Sequence, residues 1–295
     1  MRRHPVILGI TLLVCIGFVA IIAMHGLGLF GVDGRPFNLR EKVGIIPIEG
    51  IIGDSEELVE QINAFADDRG IGAVVLRINS PGGGVAPSQE IYQAVRELKK
   101  KKKVVASMGA VAASGGYMIA VAADRIVANP GSITGSISTV MHYANIEELM
   151  KKVGVRSSVV KSGKFKDIGS PAREMTAEER SLIQAIVDDI YDQFVRTIAE
   201  NRKLPLQRIF ELADGRIFSG RQAKDLGLVD DLGGLQDAVL LAAKLSGLEG
   251  KPETVHGMKK KTTLLKYLMG NMTSAVVEEI KGKTAESRGA QYLLQ

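Results

Sequence analysis

The stretch VVASMGAVAASGGYMIAV, Val104–Val121, passes from an apolar run through a turn built only of Gly, Ala and Ser into a small-residue helix. Continuous apolarity without alternation suits a strand covered on both faces, as in a parallel sheet. The turn carries one hydroxyl, Ser114. Backbone N–H groups at a helix start have no partner within the helix, so a serine there stands beside donors that can hold an oxyanion. Two readings follow. Ser114 is a nucleophile, or it is the N-cap of a tight turn that Ala112, Ala113, Gly115 and Gly116 permit.

Working outward, Ile71–Ile78 (IGAVVLRI) is a second all-apolar strand ending in Asn79-Ser80-Pro81-Gly82-Gly83-Gly84. A helix is predicted from Pro87 to Lys100, a strand over Lys103–Ser107, a helix from the Ser114 turn to Ala123 and a strand over Arg125–Ala128. This β-α-β-α-β order with short connections predicts an α/β domain with a parallel sheet, whose active-site loops gather at the carboxyl ends of the strands. Both Gly-rich turns lie at such ends. Upstream, Lys42–Ile52 reads as a strand, and Asp54 with Glu57 as a capping box opening a helix to Asp67. Downstream, a short strand to Tyr143, a helix over Ile146–Lys152 and a strand over Ser157–Lys161 are predicted. Thr176 and Glu179 then cap the longest helix, to about Asn201, with Leu182, Ile183, Ile186, Ile190, Phe194 and Ile198 as its apolar stripe. Leu204–Ala213 and Leu235–Leu245 are shorter helices.

The N-terminus is of another kind. Arg2 and Arg3 precede Val6–Met24, nineteen residues without a charge, long enough to span a bilayer core. It reads as an uncleaved signal anchor, with the N-terminus in the cytoplasm and the body of the protein on the extracytoplasmic side. The predicted organisation is a transmembrane anchor over 1–30, a tether over 31–41, a main domain over 42–246 and a partly flexible tail over 247–295. The end of that tail, QYLLQ, is expected to occupy an apolar cleft or a neighbouring subunit. A net charge of +5 reflects clustered lysines, five of them at Lys99–Lys103. No aromatics interleave them, so no nucleic-acid partner is expected. The single cysteine, Cys15, excludes an intrachain disulfide and a cysteine-rich zinc site. The sequence also lacks H-E-x-x-H and GxxxxGK[ST] motifs, so neither metal nor cofactor is expected.

A nucleophilic serine needs a base. His4 and His25 belong to the anchor and His256 to the tail, which leaves His142 as the imidazole candidate. A lysine also serves when desolvation and neighbouring cations favour its neutral form. Lys161, Lys164 and Lys166 cluster at the end of one predicted strand, and spacing alone does not choose among them. The glycine run Asn79–Gly84 reads as a flexible loop whose N–H groups can join that of Gly115 as oxyanion donors.

NSPGGG at 79–84, AASGGYMIA at 112–120, TGSI at 134–137 and KSGKFKDIGSPAREMT at 161–176 closely resemble the signal peptide peptidase A family of membrane-anchored serine proteases. GRIFSGRQAKDLGLVDDLGG at 215–234 matches that family's later segment. The resemblance implies the superfold shared with Clp proteases and crotonases, with Ser114 as nucleophile and Lys166 as general base in a Ser-Lys dyad. By analogy with Clp proteases, the N–H groups of Gly83 and Gly115 would hold the oxyanion. Also implied are a location in the bacterial inner membrane and a homo-oligomer, an octameric ring in single-domain members, in which serine and lysine come from adjacent subunits. The expected substrates are signal-peptide remnants and other apolar peptides. Rival readings are a Clp-like pairing of Ser114 with His142 and a non-catalytic membrane-anchored scaffold. Ser138, where the family usually has Gly, is expected to affect how Thr134 and Ser136 pack near Lys166.

Overall fold

The structure, a computed structural model, describes residues 13–19, 42–257 and 291–292. The chain divides into two units, Met1–Glu41 and Lys42–Gln295. In the first, residues 13–19 form a helical stretch, α1, with exposed side chains. No helix among the described residues is long and apolar enough to cross a membrane. The rest of the apolar run Val6–Met24, and the tether 31–41, lie outside the described residues.

The second unit is built on one sheet of nine strands among the described residues. They are β1 (Lys42–Ile52), β2 (Ile71–Gly84), β3 (Lys103–Ala113), β4 (Arg125–Ala128), β5 (Ile133–Gly135), β6 (Ile217–Ser219), β7 (Asp231–Leu232), β8 (Thr254–His256) and β9 (Gln291–Tyr292). The main path runs β6-β5-β3-β2-β1-β8, with β4 pairing both β3 and β7. All ladders are parallel except β5–β6 and β2–β9. The helices are α2 (Glu56–Asp67), α3 (Val85–Lys101), α4 (Gly115–Ala120), α5 (Glu147–Lys152), α6 (Ala177–Arg202), α7 (Leu206–Leu212), α8 (Gly220–Asp225) and α9 (Leu235–Ser246).

Strand periodicity explains the layers. Ile46, Ile48, Val74, Leu76, Ile78, Val104, Ala106 and Met108 join a core cluster with residues of α3, α4 and α6. The alternate residues Val43, Ile45, Ala73, Val75 and Val105 join Ala238, Val239, Ala242 and Ala243 of α9 in another. Successive strand side chains point to opposite faces, so a continuous apolar run feeds both layers. Each fully buried Val, Ile or Leu contributes about 1.5–3 kcal/mol relative to exposure.

Four expectations are corrected. Asn79–Gly84 is not a loop: β2 continues through it to Gly84, pairing Gly82 and Gly83 with Ile51 and Ile52 across a register shift. Glycine makes this possible, since Gly82 adopts φ 106°. The capping box at Asp54 is absent, because Ser55 takes the N-cap position of α2 without a capping bond and its hydroxyl donates to Glu90. No strand reaches Tyr143, and none forms over Ser157–Lys161, whose residues are exposed. An isolated run of β-formers has no ladder unless an edge lies beside it. The capping box at Thr176 and Glu179 does form. In α6, however, only the C-terminal part of the apolar stripe enters the core: Phe194 and Ile198 are fully buried, while Leu182 and Ile186 are 43% and 49% exposed.

Candidate active site

β3 ends at Ala113 and α4 begins at Gly115, which leaves Ser114 on the corner at φ 53°, ψ −120°. A positive φ is costly for a residue with a Cβ and persists only where the surroundings over-determine it. Here they do. Ser114 N–H donates to Gly135 O at 2.9 Å, and Met118 N–H donates to Ser114 O at 2.9 Å. Thr134 Oγ1 donates to Ala112 O at 2.7 Å, so β5 fastens the strand side of the corner. The N-cap reading fails on geometry, because the Ser114 side chain makes no capping bond. Its Oγ is fully buried and has no hydrogen-bond partner among the described residues. A buried hydroxyl without a partner forfeits about 1–3 kcal/mol, which makes it a functional candidate.

The glycines around Ser114 are fixed by close approach. A Cβ on Gly115 would lie 2.4 Å from Ser88 Oγ, and one on Gly116 would lie 3.0 Å from Ser80 O. At Gly83 the clash would be with backbone, 2.2 Å from Ile52 O and 2.6 Å from Ile52 N. Ser80 pairs with Ala112 in the β2–β3 ladder, so the two glycine-rich segments meet at one end of the sheet. Gly83 and Gly84 also pair, antiparallel, with Tyr292 and Gln291 of β9.

Lys166 lies elsewhere, exposed on a run of turns over 162–169. Its neighbours are engaged: Lys161 pairs with Asp167 and donates to Lys164 O at 2.8 Å, and Lys164 pairs with Glu178. Lys166 Nζ makes no ion pair or hydrogen bond among the described residues. Arg173 closes the loop. Its Nε donates to Asp167 Oδ2 at 3.0 Å, its Nη1 to Glu179 Oε2 at 2.8 Å and Glu174 O at 3.0 Å, and its Nη2 to Glu179 Oε1 and to Asp167 O at 3.3 Å. Arg173, then Lys161, hold the Asp167 carboxyl well below the usual range. Arg173, then the Thr176 N–H, pull Glu179 down to about 2.

The model of peptidase family S49 matches residues 96–249, and that of the Clp proteases matches residues 42–133. A candidate protease of Synechocystis sp. is 44% identical over 234 residues, 79% of this chain and 84% of the relative. The chain belongs to peptidase family S49. A candidate signal peptide peptidase of Enterococcus faecium is 35% identical over 214 residues, 68% of this chain and 62% of the relative. Protease 4 of Salmonella typhi is 34% identical over 251 residues, 82% of this chain and 40% of the relative. The chain is thus a serine peptidase of the signal peptide peptidase A family, on an α/β fold with a mostly parallel, Clp protease-like sheet.

Within one chain of this S49 peptidase, the expected residues fall into two places. Ser114, Gly115 and the Gly82–Gly83 end of β2 come together; Lys166 does not join them by a hydrogen bond. His142 lines a cleft of about 660 Å3 with Thr139, Gly169, Arg173 and Ile183 that does not include Ser114. The Thr134–Ser136 segment braces the Ser114 corner rather than Lys166: Gly135 O and Thr134 Oγ1 bond its backbone, and Ser138 packs beside Gly215. Sequence reasoning missed Arg173 and the double use of Glu179, which both caps α6 and binds the guanidinium. The available signal was an arginine three residues before the N-cap threonine, able to fold back onto the capping glutamate.

Proposed function

We propose that this protein hydrolyses apolar peptides, including signal-peptide remnants, through an acyl-enzyme formed on Ser114 with Lys166 as general base. The observation that carries this reading is the Ser114 hydroxyl: strained, buried, without a partner among the described residues, and beside two glycine-rich segments that exclude side chains. In the first step a neutral Lys166 amine takes the Ser114 proton as Oγ attacks the peptide carbonyl carbon. The N–H groups of Gly83 and Gly115 hold the oxyanion. As the tetrahedral adduct collapses, the C–N bond breaks and the lysine gives its proton to the leaving amine. Water, deprotonated by the same amine, then attacks the ester and releases the carboxylate product.

Lys166 comes from a neighbouring copy in a homo-oligomer, an octamer by family resemblance. What supports this is that both Ser114 Oγ and Lys166 Nζ lack partners among the described residues, and that Val155, Val159, Val160, Leu182 and Ile186, which flank residues 161–176 in sequence, are exposed. The substrate binds extended along Gly83–Gly84, the edge that β9 pairs with, since an added strand satisfies that backbone. Residues 1–30 anchor the protein in the bacterial inner membrane, 31–41 tether it, and 42–246 form the catalytic domain on the extracytoplasmic side; this rests on Arg2, Arg3 and the uncharged run Val6–Met24.

A serine-directed fluorophosphonate tests the reading. Wild type is expected to be labelled at Ser114. Lys166→Ala is expected to lose roughly 10⁴-fold or more in peptide hydrolysis, by analogy with removal of a base in other serine peptidases. Full activity in Lys166→Ala sinks the dyad, and retained activity in Ser114→Ala sinks the nucleophile.

A further inference from the structure

The loop that carries Lys166 contains a carboxylate at the very next position, Asp167. A carboxylate within a few ångströms of an amine favours the ammonium form, which cannot accept a proton. For a lysine serving as a base, an unoccupied Asp167 would therefore be harmful. In the structure it is fully occupied: Oδ1 accepts from Lys161 and Oδ2 accepts from Arg173 Nε at 3.0 Å. The Asp167 side chain is 13% exposed, against 31% for each of its two cationic partners.

Arg173 is itself saturated. A guanidinium has five N–H donors in a fixed fork, and all five are used: one on Asp167 Oδ2, one on Asp167 O, one on Glu174 O and two on the Glu179 carboxylate. Glu179 is buried in the first turn of α6, where it also accepts from Thr176 N–H at 2.9 Å. A single side chain thus ties the residue after Lys166 to the start of a 26-residue helix.

Taking Lys166 as the base, we propose that Arg173 is its positioning residue: it clamps the loop to α6 through Glu179 and keeps the Asp167 carboxylate from pairing with the lysine. The other charges around the loop leave this arrangement intact. On the loop itself Lys164 is matched by Glu178 of α6, and Glu174 lends its backbone oxygen to Arg173. From α5, Glu147 is matched by Lys151. Arg180 of α6 and His142 of the 139–145 segment line the adjacent cleft.

The test is the pH dependence of kcat/KM for an apolar peptide, using the full-length chain in detergent. The variants are Arg173→Met, Asp167→Asn, the double variant Arg173→Met/Asp167→Asn, and Lys166→Ala. Arg173→Met frees Asp167 Oδ2 while Lys161 still holds Oδ1, and is expected to move the acidic limb to higher pH by about 1 unit, the size of a nearby-carboxylate effect. Removing the freed carboxylate in the double variant is expected to bring the limb back toward wild type, although the clamp is gone. A residue with only a structural role would lower kcat across all pH values and would show no such reversal. An unmoved limb in Arg173→Met, or a double variant whose limb stays displaced, overturns the proposal. If Arg173→Met does not fold, Arg173→Lys with and without Asp167→Asn replaces it, with a smaller displacement expected and the same reversal required. The underlying dyad is judged separately: activity retained in Lys166→Ala defeats that reading, whereas an inactive Lys166→Ala beside an unmoved Arg173→Met limb defeats the Arg173 role alone.

Discussion

The Ser114 corner and the Lys166 loop are held by opposite means. Around Ser114 the restraints are packing and backbone: a strand end, a six-residue helix, the Gly135 carbonyl, and glycines with no room for a methyl group. Lys166 itself lies in no strand or helix, and its loop takes its shape from one guanidinium, two carboxylates and a lysine, one of those carboxylates standing on α6. Packing responds little to pH, whereas ion pairs are lost once their carboxylates are protonated, and those that reach solvent are also screened by salt. The difference teaches which half must be preset. A nucleophile needs an oxyanion site fixed to fractions of an ångström, and only a close-packed interior provides that. The base proposed above, offered to a neighbouring chain, has to stand at the surface, where charge is the available means of holding a loop in shape.

Beyond removal of the proposed dyad itself, the largest effects are expected from placing methyl groups in the packed half. In Gly83→Ala the new Cβ meets the backbone of Ile52, which cannot turn aside. We expect a loss of about 10³-fold in Ser114 acylation and hydrolysis, the scale of losing an oxyanion donor. Gly115→Ala meets the Ser88 hydroxyl instead, so its loss is expected to be nearer 10²-fold and to be partly relieved by adding Ser88→Ala. A Gly83→Ala enzyme with full acylation rate would break the contrast between the two halves.

Next in size is the ion pair of the packed half. Arg202, at the end of α6, donates to both oxygens of Asp230 at 3.0 and 2.9 Å, and Asp230 also accepts from Ile126 N–H of β4 at 2.7 Å. Burial pushes the Asp230 carboxyl up, but Arg202 and the Ile126 N–H more than offset it, so the net direction is down. A carboxyl lowered in the folded state stabilises above its unfolded value of about 3.9 and loses that contribution as pH falls below it. Asp230→Ala leaves the largely buried Arg202 unpaired and is expected to cost about 3–5 kcal/mol at pH 7. The gap to wild type should close as pH drops below about 4. By contrast Lys164→Ala, which removes an exposed pair with Glu178, should cost less than about 1 kcal/mol. Thermal melting of both variants between pH 3 and 8 checks this, and equal losses would erase the distinction.

Much of the packed half was legible, because its causes are local. β1 and β4 fall on the predicted residues, and the apolar runs feeding both faces were readable from the absence of alternation in IGAVVLRI. Where the reading failed, a neighbour decided. NSPGGG looks like a loop by composition, yet β1 supplies a ladder partner that extends β2 through it. SSVVK at 157–161 looks like a strand and forms none, because no strand edge among the described residues receives it. Glu179 was legible as a cap, but its service to Arg173 depends on how residues 161–176 fold back, which no periodicity encodes. The Ser114 φ of 53° was equally hidden, since a non-glycine residue in that region is imposed by tertiary contacts.

The smallest effect expected concerns the Gly83–Gly84 edge, which belongs to the packed half yet stays open to an incoming strand. Its pairing with Gln291–Tyr292 is intramolecular, so those residues compete with a peptide at an effective concentration set by the chain between them. A site occupied from within binds substrate more weakly by the fraction of time it is free. Deleting 291–295 removes the competitor without touching Ser114, Gly83 or Gly115. Only two residues pair, so the occupancy to be relieved is modest. The apparent KM for an extended apolar peptide is expected to fall by about 2–5-fold, with kcat unchanged. A rise in kcat instead would mean that β9 distorts the oxyanion glycines rather than covering the edge. An unchanged KM would leave that edge as rigid as the Ser114 corner and remove strand addition as the way substrate is held.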